Sequence, residues 1–192
     1  MPRSLLVAVL GLALSSCGTG GSEPVPPGSL PGFELQLSGA EARSLTGRVF
    51  VAPTVPDGFI DLDPESNALT TRPRTPVLFY PTDAEPQAML TIDLIGVMQP
   101  TSYAAYIGGA DGRGTRFLSA YSVRRSNGLA REYRLSGGTV VLTAVDASLV
   151  KGTVSIQFGG YVDPIPGSTT EPPFVPAPLS ITGSFTAQYM PR

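Results

Sequence analysis

Apolar and polar residues alternate with a period of two over most of the chain from Phe33 onward. Such alternation, with β-branched and aromatic residues on the apolar side, is typical of half-buried antiparallel strands. Prolines interrupt any helical pattern in residues 53–64 and 73–86, and only residues 102–107 predict a short helix. The pattern therefore predicts an all-β fold, an antiparallel β-sandwich or flattened β-barrel of about 8–10 strands. The clearest strand has the apolar side Leu179, Ile181, Gly183, Phe185, Ala187 and Tyr189.

One turn fixes an expected strand register. Ser126-Asn127-Gly128 is typical of a type I′ hairpin turn, because Asn and Gly tolerate positive φ at both central positions. A two-residue loop at this place puts Arg124 opposite Arg131 and Tyr121 opposite Arg134. Like charges directly opposite one another are unfavourable unless a partner lies between them.

The amino terminus has the pattern of a secretory signal. Arg3 precedes an apolar run over residues 5–14, which is shorter than the ~20 residues of a membrane-spanning helix. The run ends in Leu14-Ser15-Ser16-Cys17, and these four residues resemble the lipobox of bacterial lipoproteins. The resemblance implies cleavage before Cys17 and acylation of its sulfur, since a thiolate is a good nucleophile for alkylation. The alternative is an ordinary secretory signal with a chance cysteine.

These features divide the chain into three parts. Residues 1–16 form the predicted signal peptide, residues 17–32 the lipidated Cys17 with a flexible Gly-, Pro- and Ser-rich tether, and residues 33–192 a single all-β domain. Gly18 stands where many proteobacterial lipoproteins carry the Asp that retains them in the inner membrane. The expected location is the cell envelope: the outer membrane if the host has two, otherwise the extracytoplasmic face of the plasma membrane. More than one acyl chain makes such an anchor stable.

Composition excludes several classes of enzyme. Among 192 residues there is no His and no Trp, and Cys17 is the only cysteine. A Ser-His-Asp triad, a Cys-His pair, a histidine metal site and an intrachain disulfide are therefore excluded. We expect no catalysis and no cofactor.

An acidic segment over residues 57–65 is a weak candidate for a metal site. Carboxylate oxygens are the ligands that Ca²⁺ prefers, and the spacing matches the start of an EF-hand loop. However, Ser66 stands where that loop needs Gly, and Arg72 stands where it needs Glu. A solvated loop without metal is the expectation. The acidic side chains concerned are Asp57, Asp61, Asp63 and Glu65.

Basic charge is concentrated in one stretch of the chain. Glu132 is the only acid between Arg113 and Arg134, whereas the chain as a whole has a net charge of −2. A basic hairpin suits the phosphates of anionic lipid, lipopolysaccharide or another polyanion; no nucleic-acid partner is expected. The alternative is that the arginines lie on both faces and pair with acids on neighbouring strands. The candidate anion-binding residues are Arg113, Arg116, Arg124, Arg125, Arg131 and Arg134.

Several strand segments together resemble a group of uncharacterised bacterial lipoproteins. Most of them combine a glycine with a strand in which hydroxyl and apolar residues alternate. The resemblance implies a lipid-anchored all-β domain and supplies no activity and no site residues. The segments are Ser38-Gly39 with Leu45–Arg48, Ser136–Thr139, Leu142–Asp146, Val150–Ile156 and Ile181–Ala187.

The function expected from these observations is binding rather than catalysis. A lipid-anchored structural or interaction domain would contact the membrane through its anchor and bind another envelope component. The alternative is a calycin-like carrier, whose barrel interior holds a small apolar ligand. Large inward side chains such as Phe158, Phe185 and Tyr189 would fill that interior, whereas a cavity of hundreds of Å³ would favour the carrier.

Overall fold

The structure, a computed structural model, describes residues 31–62, 68–82, 87–107, 114–126, 128–165 and 170–191. Every regular element in these ranges is a β-strand. The all-β prediction and the expected number of strands are confirmed. The ten strands of the described residues are β1 (Gly32–Gly39), β2 (Arg43–Val51), β3 (Val55–Leu62), β4 (Leu69–Pro81), β5 (Ala88–Ile95), β6 (Ser102–Ala105), β7 (Arg116–Arg124), β8 (Ala130–Val145), β9 (Leu149–Val162) and β10 (Phe174–Tyr189).

Most of the strands form a closed ring with antiparallel neighbours. In order round the ring they are β1, β2, β4, β5, β7, β8, β9 and β10, and β10 pairs with β1 to close it. β3 pairs with β4 outside the ring. β6 pairs with both β7 and β8 where these two separate. The sheet is thus a flattened barrel in which sequential strands are neighbours.

Alternation along each strand sorts its side chains between the core and the solvent. In β1, Phe33, Leu35 and Leu37 are buried while Glu34 and Gln36 are exposed. Burying each large apolar side chain contributes roughly 1.5–3 kcal/mol to folding. The same period therefore fixes which face of every strand points inward.

Aromatic side chains fill the inside of the ring. The ring of Phe79 lies edge-on to Phe33 and to Phe185, with centroids 5.3 and 5.4 Å apart. A second cluster joins Tyr121, Tyr133 and Phe158, with centroid distances of 5.5 to 6.2 Å. Phe158 and Phe185 thus occupy the interior as expected, and Tyr189 packs against the core partly buried. Large side chains converge where a carrier would hold its ligand.

The two ends of the ring differ in what they carry. At the end that we call the upper end lie the β1–β2 turn, the β7–β8 turn and the β9–β10 connection. At the lower end the chain enters β1 at Gly32, β8 turns into β9, and β10 ends. β3 and the first half of β4 extend beyond the ring at this lower end, because residues 77–81 of β4 pair with β2 and residues 69–74 pair with β3.

The β7–β8 register differs from the prediction by one residue. Val123 lies opposite Arg131 and Tyr121 opposite Tyr133. The N–H of Arg125 donates to the carbonyl of Leu129 at 2.8 Å, so the loop is longer than two residues. Gly128, with φ of 81°, takes the left-handed position that ends a three-residue loop. Asn127 lies outside the described residues.

The predicted short helix over residues 102–107 is wrong. Residues 102–105 form strand β6, which fills the gap between β7 and β8. Tyr103 is fully buried, and its hydroxyl donates to the carbonyl of Val97 at 3.2 Å and accepts from the N–H of Gln99 at 3.1 Å. Sheet pairing and this anchored ring therefore outweigh the local helical pattern.

Candidate functional site

Some residues of the sequence predictions cannot be placed. The predicted anchor, one arginine and two acids lie outside the described residues, so the expectations for them stay predictions. They are Cys17, Arg113, Asp63 and Glu65.

Two arginines of the basic stretch share one carboxylate at the upper end. Asp163, just past the end of β9, binds the guanidinium of Arg131 through two hydrogen bonds of 2.9 and 3.0 Å. Arg125 donates to the same carboxylate at 2.9 Å, and the guanidinium carbon of Arg131 lies 3.6 Å from the Tyr161 ring centroid. The hydrogen bonds from Arg131 lower the pKa of Asp163, and those to Asp163 raise the pKa of Arg131. These two arginines are thus paired with an acid next to a neighbouring strand, as the alternative to an anion-binding site predicted.

The remaining described arginines do not converge on one site. Arg124 and Arg134 are exposed, and Arg134 lies opposite Ala120 on the outer face. Arg116 begins β7 and Arg124 ends it, which separates them by about 26 Å along an extended strand. The structure therefore does not bring the predicted anion-binding set together.

A polar cluster absent from the sequence predictions, made of two buried tyrosines and the half-buried Glu41 and Arg43, closes the upper end of the ring. The Glu41 carboxylate accepts hydrogen bonds from the hydroxyls of Tyr121 (3.1 Å) and Tyr133 (3.0 Å). Arg43 pairs with the same carboxylate at 3.0 Å and donates to the Tyr121 hydroxyl at 2.8 Å. Burial, together with the negative Glu41, raises the pKa of Tyr133 to about 12 and also raises that of Tyr121. Both tyrosines therefore stay neutral donors at physiological pH.

A shallow groove runs over the outer face of β2, β4, β5 and the adjoining ends of β7 and β8, and we call it the outer groove. It consists of two cavities, of about 670 and 410 Å³, that meet at Tyr80 and Pro81. The Phe50 and Tyr80 rings pack edge-on with centroids 6.0 Å apart, and Tyr80 and Met89 are each 42% exposed. The described residues lining the larger cavity are Arg48, Phe50, Tyr80, Pro81, Thr82, Met190 and Pro191. Those lining the smaller are Tyr80, Pro81, Gln87, Ala88, Met89, Ser122, Arg124, Gly128 and Ala130.

The outer groove carries positive charge from two arginines, one of which, Arg48, lies opposite Tyr80 where the two cavities meet. Arg48 lines the larger cavity and Arg124 the smaller, and neither cavity has an acid among its described lining residues. The signal available in the sequence was a break in the period of two. Phe50 and Tyr80 are large side chains on the outward side of strands whose inward side is already apolar.

The acidic segment begins within strand β3, so the expectation of a loop is wrong for Asp57 and Asp61, whereas Asp63 and Glu65 lie outside the described residues. Asp61 in β3 is buried, with a carboxylate oxygen 3.7 Å from Nε of Arg72. The hydroxyl of Tyr106 donates to the other oxygen at 3.4 Å, and Asp57 accepts a hydrogen bond from Thr71 at 2.9 Å. Within the ranges that the structure describes, no group of three or more acidic or thiol side chains is placed to hold a metal ion.

Comparison with known protein families, with curated proteins and with solved structures found no match to this chain. In the described part of the chain, no helix has the length and apolar character needed to cross a bilayer.

Proposed function

We propose that this protein is a lipid-anchored cell-envelope domain that binds another envelope component and has no catalytic role. The lipobox-like sequence before Cys17 supports the anchor. The chain enters the ring at the lower end, so the upper end is presented away from the anchored membrane.

The outer groove is the observation that supports binding. Aromatic residues, Met and Arg are enriched in the centres of protein interfaces, where they supply most of the binding energy. Phe50, Tyr80 and Met89 provide an apolar floor here, with Arg48 beside Tyr80 and Arg124 lining the smaller cavity. A partner that fits would place apolar side chains on this floor and carboxylates beside the two arginines.

The packing of the interior favours this surface over the carrier alternative. The two aromatic clusters around Phe79 and Phe158 occupy the space that a bound apolar ligand would need. A carrier would require these rings to move, and well-packed cores resist such rearrangement.

The anchor is tested by replacing the cysteine. Wild type should partition into the detergent phase and float with membranes, whereas Cys17→Ser should be released as a soluble protein. A variant that still floats quantitatively with membranes would contradict lipid anchoring.

The binding surface is tested by photocrosslinking in cells. A benzoylphenylalanine at Tyr80 should give a discrete adduct, and Arg48→Glu should weaken that adduct. The matched position is Gln157, which is exposed on β9 away from the outer groove. Equal adducts from both positions, or none from Tyr80, would contradict binding at the outer groove.

A further inference from the structure

β3 lies at the end of the sheet and pairs on one side only. The strand order ends at β3, whose neighbour is the first half of β4. Within the part of the chain that the structure describes, no other strand pairs with β3, whereas every strand of the ring has a neighbour on both sides. The side of β3 that faces away from β4 is an unpaired edge, and we call it the β3 edge. Unpaired strand edges are templates for pairing with another chain.

Hydrogen bonds along β4 show which backbone groups the β3 edge presents. The N–H of Ala52 donates to the carbonyl of Pro76 at 2.9 Å. Every second residue of β4 from Pro76 therefore bonds toward β2 and β3, and the residues between them bond toward β5, because bonded and non-bonded pairs alternate in an antiparallel ladder. Thr71 belongs to the second set and lies opposite Ile60. The N–H and C=O of Ile60 thus point outward along the β3 edge.

Only the first half of β3 carries the features that commonly keep an edge strand from pairing. Pro56 and a shift of register interrupt the ladder there. The second half, residues 59–62, contains neither proline nor lysine. Its one charged residue, Asp61, is buried, with a carboxylate oxygen 3.7 Å from Nε of Arg72. The second half of the β3 edge therefore presents no exposed charge to an added strand.

One face of this half strand is apolar and exposed. Ile60 is 64% exposed, and Leu69, which the register places on the same face, is 75% exposed. Phe59 and Asp61 take the opposite face, where the Phe59 ring packs edge-on against Tyr106 with centroids 5.2 Å apart. Ile60 thus combines an exposed apolar side chain with unpaired backbone groups, and a strand added at the β3 edge would cover both.

We propose that β3 pairs antiparallel with β3 of a second copy of this chain, about a two-fold axis at Ile60. In this register Ile60 lies opposite its own copy in a hydrogen-bonded pair, and Phe59 lies opposite Asp61 of the other copy. A two-fold axis at Asp61 would instead place two like charges directly opposite one another, which is unfavourable.

The second copy is the occupant because the strand is complementary to itself in this register: an apolar side chain meets an apolar side chain, and bonded backbone groups meet bonded backbone groups. A two-fold contact uses the same edge of both copies, so it gives a closed dimer rather than a fibre. The proposal is independent of the lipid anchor and of the outer groove.

The molar mass in solution tests the dimer. The full chain with Cys17→Ser, which removes the predicted site of acylation, is examined by analytical ultracentrifugation at increasing protein concentration. We expect twice the mass of a single chain. Ile60→Pro should give a monomer, because it removes an N–H that the second copy needs and that does not bond to β4. Ile165→Pro is the matched control: it replaces an isoleucine that is 54% exposed beyond β9, and it should remain a dimer.

A single cysteine tests the register. Cys17→Ser leaves the chain without cysteine, so Ile60→Cys in that background has one thiol per copy. Residues of a hydrogen-bonded antiparallel pair have Cα atoms about 5.5 Å apart, which a disulfide can span, so mild oxidation should give a covalent dimer. Leu69→Cys is the control on the same face. Edge pairing separates its two copies by three strand spacings, about 14 Å, which no disulfide spans.

A chain that remains monomeric at every concentration would overturn the proposal, and so would a dimer that Ile60→Pro leaves unchanged. Equal crosslinking of Leu69→Cys and Ile60→Cys would mean that the exposed faces stack on one another, which also overturns edge pairing. If circular dichroism shows that Ile60→Pro has lost its strand content, the crosslinking of Ile60→Cys decides: a covalent dimer supports the proposal, and its absence overturns it.

Discussion

Glu41 holds two strands together through one carboxylate at the upper end. Its oxygens accept hydrogen bonds from Tyr121 and Tyr133 and pair with Arg43. Glu41→Ala should lower the free energy of unfolding by about 1–3 kcal/mol, because buried donors lose their acceptor. Urea denaturation measures this loss. Glu34→Ala, which removes an exposed carboxylate from β1, is the control and should change stability by no more than about 0.5 kcal/mol.

Asp163 should make the stability depend on acid pH. Its pKa is lowered in the folded state by Arg131, so the ionised form stabilises the fold at pH values above the usual ~3.9 of an unfolded Asp. This contribution disappears as the pH falls through the lowered folded value. Wild type should therefore have a higher Tm than Asp163→Asn at pH 6, and the two should converge as the pH falls below the lowered folded pKa. A gap that stays constant with pH would contradict the argument, and Glu132→Gln provides the exposed control.

Neither Glu41 nor Asp163 could be assigned a role from the sequence. Glu41 precedes Tyr121 by 80 positions, and only closure of the ring brings them together. The basic character of the hairpin can be seen in the sequence. The ion pair between Arg131 and Asp163 cannot, because it depends on where the residue after β9 lies relative to Arg131. Side-chain partners across a sheet follow from register, and register depends on the fold.

At the scale of the elements, Gly138 shows how closely β8 and β9 approach. Its φ is 122°, and a Cβ would lie 2.3 Å from the carbonyl oxygen of Ser155. Gly96 has a similar φ of 102° with nothing within 4 Å of that position. Gly96→Ala should therefore cost only the backbone strain of about 1–2 kcal/mol. Gly138→Ala should cost about 1–3 kcal/mol more, because two backbones must separate.

Thermal unfolding of the two glycine variants measures that difference. Equal losses of stability in Gly138→Ala and Gly96→Ala would mean that the cost comes from the positive φ alone and that β8 and β9 can move apart. Retained strand content by circular dichroism in both variants would show that they still fold.

The strands themselves could be predicted, because a period of two directly records which face is buried. β9 is the clear case, with Val154, Ile156 and Phe158 buried between exposed polar residues. The β7–β8 loop length could not be predicted, since Asn-Gly fits both a two-residue turn and a longer loop ending in Gly128. The sequence pattern did not predict β6 as a strand, because its pairing depends on a gap between β7 and β8.

At the scale of the whole molecule, the β7–β8 turn lies at the end of the ring opposite to where the chain enters. Arg125 is already paired with Asp163. Arg124→Ala combined with Arg125→Ala, in a Cys17→Ser background, should therefore leave flotation with anionic vesicles unchanged at low and high salt. Salt-sensitive flotation that this pair of substitutions abolishes would instead show a lipid-binding hairpin.

Ring closure by β1 and β10 also determines when the domain can be complete. Residues 33–39 pair with residues 179–185, so β1, the first of the described strands to be synthesised, lacks its second neighbour until β10, the last of them, is made. Until β10 emerges, β1 and β9 both present unpaired edges, which are templates for aggregation. A chain that emerges with its amino terminus first therefore passes through a stage in which the sheet is not yet closed. We expect that a holding chaperone, or rapid emergence of β10, prevents aggregation of this chain. Either should be less important for a protein whose strands pair only with their neighbours in sequence.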